Sequence, residues 1–189
     1  MGSDPFAGTW TVNPSEDVGV WYPGSPEYPS GAPDGTNVAF VNNGSISQIL
    51  VSTALLGTYT LTVDIGGRCA ANSAPISNYT VELLAGSTAI VSDNSSLVPS
   101  LASPSGKGCG TFVLDTLTGN VTSSSLVGQS LKIVLSATGS GDTTQAAFDD
   151  VTLNFQPAAN TPEPGTLTLL GSGLLGLVHR LRRKRFAQS

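Results

Sequence analysis

The sequence is built of short runs in which apolar residues recur at every second position. In TYTLTVDIG, Tyr59, Leu61, Val63 and Ile65 fall on one side, and Thr58, Thr60, Thr62 and Asp64 on the other. That is the pattern of a strand with one face buried and one in water. NYTVELLAG sets Tyr79, Val81 and Leu83 against Thr80 and Glu82. TNVAFVN, GTFVLDT, SLKIVLSATG and FDDVTLNF keep the same period, and ISQILVS keeps it more weakly. Glycine punctuates the gaps, at Asn43-Gly44, Gly66-Gly67, Ala85-Gly86 and Gly139 to Gly141, where chain reversals favour residues that tolerate positive φ. No helical period occurs ahead of the C-terminal tail. The body is therefore expected to be all-β, an antiparallel sandwich of roughly seven or eight strands in about 155 residues.

Composition supports this and narrows the functions. Charged residues are only 11 % of the 189, unlike a helical cytosolic enzyme, and the abundance of Gly, Ser, Thr and Asn suits short strands joined by turns. The net charge of −5 is unevenly spread. Five of the eight basic residues, Arg180, Arg182, Arg183, Lys184 and Arg185, lie in the last ten positions. The rest of the chain keeps Arg68, Lys107 and Lys132 against thirteen carboxylates. Such a body repels a phosphate backbone, which argues against nucleic acid as a partner. It could attract cations, Ca²⁺ being the natural one. The single histidine, His179, is in the tail, so the body has no Ser-His-Asp or Cys-His arrangement. No HExxH or P-loop occurs, and no GxGxxG precedes a helix. Cys69 and Cys109 are too far apart for a CxxC motif. They either pair, as cysteines of exported β domains often do, or stay as two buried thiols.

The tail has its own logic. From Gly165 to Val178 every residue is apolar or small, with Thr and Ser the only polar ones. As a helix this stretch spans about 21 Å, short of a bilayer core of about 30 Å. His179 and Leu181 lengthen it, and snorkelling arginines complete it. The basic cluster then acts as the cytoplasmic stop, and Pro162 and Pro164 keep the preceding linker extended. The alternative, a core helix closing the domain, lacks a polar face and would be weakened by Gly171, Gly173 and Gly176. Pro162-Glu163-Pro164, then LLGSGLLGL, then RLRRKR at the end resembles the PEP-CTERM sorting signal of Gram-negative bacteria. The resemblance implies export, a stay in the inner membrane, removal of the tail by an exosortase-type protease, and delivery to the cell surface or extracellular matrix. The organisation expected is a sandwich over 1–156, a Pro-rich linker over 157–164 and a sorting segment over 165–189. Met1 to Phe6 shows neither the basic start nor the apolar run of an export leader, so a leader is expected ahead of this sequence; the resemblance further implies a first edge strand there.

The strand spacing, with LLGTYTLTVDIGGR in the middle and AFDDVTLNF at the close, resembles a galactose-binding-like jelly roll, the fold of many carbohydrate-binding modules. VWYPGSPEYPSGAPDGTNVAFVNNGSISQIL is similar to the opening half of exported PEP-CTERM proteins. These resemblances imply a jelly-roll-type antiparallel β-sandwich followed by a single hydrophobic transmembrane helix.

Within this frame AFDDVTLNF draws attention. If Val151, Leu153 and Phe155 face the core, strict alternation carries Asp149 inward and Asp150 outward. A buried carboxylate needs a partner. The resemblance implies structural Ca²⁺ at Asp149, with further ligands from Glu16, Asp17 or Asp34. The alternative is that Asp149 accepts hydrogen bonds from a neighbouring loop. A glycosidase would need two carboxylates about 5–9.5 Å apart around one bond, which strand neighbours on opposite faces do not provide; Glu82 or Asp64 would have to supply the second. Trp10, Trp21, Tyr22 and Tyr28 concentrate among prolines and glycines. Trp21, Tyr22 and Tyr28 could stack on sugar rings, or fill the sandwich ends, as Trp10 is expected to. The sequence thus reads as a non-catalytic, carbohydrate-binding-like module with a polysaccharide partner. A ligand-free structural surface protein is the alternative, with a glycoside hydrolase behind it.

Overall fold

The alternation in TYTLTVDIG organises the domain. In the structure, a computed structural model describing residues 10–13, 18–24, 26–68, 76–101, 110–138 and 145–159, this run becomes β5 (Gly57–Gly67), whose side chains alternate between buried and half-buried. Tyr59, Leu61, Val63 and Ile65 are at most 2 % exposed. One edge of β5 pairs with β8 (Phe112–Val121) and the other with β10 (Ala146–Pro157). With β2 (Val18–Trp21) and β3 (Val38–Val41) they form an antiparallel sheet in the order β2-β3-β10-β5-β8. The other sheet places β1 (Trp10–Val12), β4 (Gly44–Thr53), β9 (Ser130–Ala137), β6 (Thr80–Ala85) and β7 (Thr88–Asn94) side by side in that order.

From β3 to β6 the chain crosses between sheets at every step, and it does so again from β7 to β10. This interleaving gives the jelly-roll-type sandwich. Ten strands are found among the described residues. Those without an alternating run in the sequence are β1 and β2, at three and four residues too short to alternate clearly, and β7, an edge strand with no buried residue. Edge strands have little face to bury, so the alternating signal fades there.

Leu61, Val63, Ile65 and Phe148 of one sheet and Ile46, Val81, Leu83, Ile133 and Leu135 of the other form a single core cluster. Burying a side chain of this kind stabilises the fold by roughly 1.5–3 kcal/mol. A second cluster lies on the opposite face of the β2–β8 sheet, where Tyr28, Val38 and Ala147 pack with Trp21, Ala32 and Phe112.

The chain divides into two units, Met1–Pro157 and Ala158–Ser189. Of the second unit only residues 158 and 159 are described. The Pro162-Glu163-Pro164 element, the expected transmembrane helix and the basic run from Arg180 to Arg185 therefore lie outside the described residues, as do Cys69 and Cys109. Among the described residues no helix is long and apolar enough to cross a membrane.

At the β7–β8 edge a buried carboxyl pair joins the two sheets. Asp115 of β8 is 8 % exposed and lies against the side chain of Asp93 in β7, its buried Oδ2 meeting no other donor. Asp93 Oδ2 also accepts the Tyr79 hydroxyl at 2.6 Å and the Ser96 hydroxyl at 2.9 Å. The Asp115 carboxyl is pushed up to about 6, first by burial, then by the charge and hydrogen bond of Asp93, against the backbone hydrogen bond of Thr116. The fold thus binds this proton more tightly than the unfolded chain does. The resulting stability is fully present below about pH 4 and is lost as pH rises through about 6. Asp115→Asn keeps a donor toward Asp93 and removes the charge. In urea unfolding at a series of pH values it should be more stable than the parent by about 1–2 kcal/mol near neutrality, without the decline between about pH 4 and 6. An unchanged pH slope in the variant would show that the pair does not share a proton.

Candidate active site

The tandem aspartates of AFDDVTLNF sit at a break in the ladder. Phe148 pairs with Ile65 and Asp149 with Asp64, but the next pair is Thr152 with Thr62. β10 thus spends three steps where β5 spends two, the signature of a β-bulge. Asp150 is the residue that turns, with φ of 41°, a left-handed conformation that aspartate tolerates better than most residues. The bulge shifts the alternation by one. Phe148 stays in the core, and Val151 and Leu153 pack against it. Asp149 falls on the other face beside Asp64. The expectation that Asp149 turns inward with Val151, Leu153 and Phe155 is corrected accordingly, because strict alternation does not survive the extra residue.

Asp149 is half-buried, and its Oδ2 accepts the backbone N–H of Asp34 at 2.9 Å. That bond fastens the loop between β2 and β3 to β10. Burial raises the Asp149 carboxyl above the usual carboxylate range. The charges of Asp34 and Asp150 push the same way, against backbone hydrogen bonds from Asp34 and Asp150. Asp64 is raised by burial first, then by the charges of Asp150 and Asp149. Four carboxylates thus influence one another at this place. Of the residues expected to hold Ca²⁺, the structure brings Asp149 and Asp34 together, while Glu16 and Asp17 lie outside the described residues. Among the described residues no three His, Cys, Asp or Glu side chains are grouped to hold a metal ion.

Beside these carboxylates a cleft of about 480 Å³ opens, lined by both sheets and, on the β10 sheet, by residues of both faces: Ala39 and Phe148 from the core face, Val38 and Asp149 from the other. Trp10, Ile46, Gln48 and Leu135 of one sheet and Val20, Ala39, Phe148 and Val151 of the other line it, with Asp34, Asn37, Val38, Asp149 and Asp150 completing the wall. Its volume suits a small organic molecule, since ligand pockets run from about 300 to 1,000 Å³. Apolar residues outnumber polar ones in the lining, but the acids, Asn37 and Gln48 make its surface about as polar as apolar, an arrangement that can bind a molecule with an apolar body and move a proton to or from it.

The three aromatic candidates separate. Tyr28 is fully buried, stacked on Phe112 with ring centroids 4.8 Å apart and edge-on to Trp21 at 5.6 Å. It presents no face to a sugar. Trp21 is half-buried, with the Arg68 guanidinium 5.2 Å from its ring centroid; Arg68 in turn pairs with Glu27 at 3.4 Å. Tyr22 is 68 % exposed. Glu82 lies in β6, in the opposite sheet from Asp149, whereas Asp64 is Asp149's direct cross-strand partner. Sequence reasoning missed the cleft wall formed by Trp10 and the turn at Asp150. Two adjacent aspartates interrupting an alternating run were the available sign of the bulge.

Comparison with known proteins places this geometry in a family. The family model described as HpiC1 cyclase matches residues 2–154, and that of the PEP-CTERM protein-sorting motif matches residues 160–184. No curated protein matches the chain. Among solved structures, the Stig cyclase Fisc from Fischerella sp. TAU in complex with (3Z)-3-(1-methyl-2-pyrrolidinylidene)-3H-indole is 30 % identical, with TM-score 0.65, covering 79 % of this chain and 86 % of that one. A cyclase from the same organism in complex with 4-(1H-indol-3-yl)butan-2-one is 28 % identical, with TM-score 0.61 over 80 % and 86 %. Further off is the xylan-binding domain of a Paenibacillus barcinonensis protein, at 16 % identity and TM-score 0.47 over 80 % and 88 %. The sorting motif marks an exported protein processed at the membrane. The expectation of a non-enzymatic body is overturned by the cyclase match, which spans nearly the whole sandwich. With residues 2–154 matched by the family model and 30 % identity to a Stig cyclase over 79 % of its length, the chain belongs to the HpiC1-like cyclase family.

Proposed function

We propose that the inter-sheet cleft closes a ring in an apolar substrate of about indole-plus-side-chain size by acid catalysis, with Asp149 as the proton carrier. The observation that carries this reading is the meeting of a partly apolar cleft with a carboxyl group held above its usual range. The indole-bearing ligands of related cyclases support the substrate class. Protonated Asp149 donates its O–H proton to an electron-rich carbon and leaves a cation in the substrate. A nearby π bond attacks that cation, forming the ring C–C bond. Loss of a proton to the resulting carboxylate restores both partners, so the net change is an isomerisation that needs no co-reactant. Trp10, Ile46, Leu135 and Phe148 offer the cation an apolar side of the cleft, and the Trp10 ring is suited to stabilise it. Asp34 holds Asp149 in place through its N–H. Polysaccharide binding, the leading reading of the sequence, would rest on Trp21 and Tyr22, with Tyr28 committed to packing. The sorting motif supports a working place at the cell surface or in the extracellular matrix, once an exosortase-type protease has removed the tail. Ca²⁺ near Asp149 and Asp34 stands as a second proposal, favoured by the crowding of like charges, which a cation would relieve. Melting midpoints that do not respond to chelator would remove it.

Three outcomes are expected. Asp149→Asn, whose amide oxygen still accepts the Asp34 N–H, should lower turnover of an indole-bearing alkene by about 10²-fold or more, while 4-(1H-indol-3-yl)butan-2-one still binds by calorimetry. Turnover equal to the parent's would remove Asp149 from the chemistry. The parent's rate should fall as pH rises through the elevated Asp149 range, because the acid form is the active one. Asp150→Asn keeps a residue that accepts the left-handed turn, and carboxyl carbon NMR titration should show Asp64 and Asp149 both moving down toward ordinary values; unmoved curves would mean that Asp150 does not act on them.

A further inference from the structure

β10 ends with Pro157 paired to Gly57, and three segments meet at this end of the sandwich. The loop at residues 54–57 is bound to the turn at 127–129: the Ala54 N–H donates to the Gln129 carbonyl at 2.8 Å, and the Gly128 N–H to the Ala54 carbonyl at 2.9 Å. The Leu55 N–H donates to the Tyr59 hydroxyl at 2.8 Å. The Phe155 ring packs on Tyr59 with centroids 4.7 Å apart. It occupies space that only glycine leaves at position 57, where a Cβ would come within 2.6 Å of that ring. Backbone bonds and ring packing thus hold Leu55, Leu56, Val127 and Phe155 in water, at 50, 43, 40 and 37 % exposure. The three segments, residues 54–59, 121–129 and 153–159, contain no Asp, Glu, Lys or Arg. An uncharged tip that holds four apolar side chains in water among Ser, Thr, Asn and Gln is the kind of surface that marks an interaction site.

We propose that this tip rests on a lipid surface while the chain is held by its sorting segment. The chain itself favours that occupant. After Pro157 only residues 158–164 precede the apolar run that starts at Gly165, and seven extended residues reach about 25 Å at most. The end of the domain that carries the tip is therefore the end covalently tied to the membrane-directed segment. Leucines and a phenylalanine without neighbouring carboxylates can enter the headgroup region without bringing charge into it. The cleft and its acids belong to other segments, so contact with lipid at the tip does not engage them. This inference rests on the sorting motif and is independent of the cyclase reading.

The test uses the full chain reconstituted into phosphatidylethanolamine–phosphatidylglycerol vesicles containing lipids brominated on their acyl chains. Leu55→Trp places a reporter in the tip, and Leu114→Trp places one at an exposed position of β8 outside it. Bromolipid should quench the Leu55→Trp reporter by about twofold and leave the Leu114→Trp reporter unchanged. Adding Leu56→Asp to the Leu55→Trp chain should relieve the quenching. Equal quenching of both reporters, or none at Leu55→Trp, overturns the proposal. So does a shift from dimer to monomer caused by Leu56→Asp in detergent with no quenching in vesicles, which would assign the tip to a second copy of the chain.

Discussion

One extra residue in the last strand shapes most of what is functional in this domain. β10 is held by both β3 and β5 up to Phe148 and by β5 again from Thr152 onward, so the irregularity is confined between two regularly paired stretches. The bulge is therefore taken up locally, by turning Asp150 into the left-handed region. Ahead of the bulge Phe148 fills the core; beyond it Val151 and Leu153 do so again. The two aspartates between them sit where the sheet has lost its regular pairing, free of the core and next to the cleft. A regular strand would have offered either a buried, unpaired carboxylate or no acid near the cleft at all.

Much of the fold was legible because burial on one face of a strand leaves a period of two in the sequence. β5 and β6 follow their expected faces residue by residue, from Tyr59 to Ile65 and from Tyr79 to Leu83. The site was less legible, for three physical reasons. A bulge inverts the faces downstream of it without changing composition, so Asp149 was placed on the wrong side. Aromatic residues in a Pro- and Gly-rich loop look alike whether they bind ligands or pack, and Tyr28 packs. Ring closure by proton transfer asks for an acid and dry walls, both of which any β-sandwich contains. It needs no histidine, nucleophile or glycine-rich loop, so the absence of those motifs did not argue against an enzyme. Only the family comparison overturned that expectation.

Loop and cleft are mechanically joined. The segment between β2 and β3 carries Tyr28, locked under Phe112 and Trp21 on the outer face, and a few residues later Asp34, whose N–H meets Asp149. The aromatic packing is thus more than filler: it fixes the stretch of backbone that orients the acid. A cavity at Tyr28 would loosen the Asp34 contact and the seat of Val38, both part of the cleft wall.

The carboxylates next to the cleft come from one sheet and its loop, while Trp10, Ile46, Gln48 and Leu135 come from the other. On the proposed reading, the acid that would carry the proton and half of the wall around the substrate come from different sheets of one chain. Side chains on β1, β4 and β9 can be exchanged to suit molecules of different outline while the acid keeps its seat. A lineage built in this way can diversify its products by recutting one wall and leaving the chemistry where it stands.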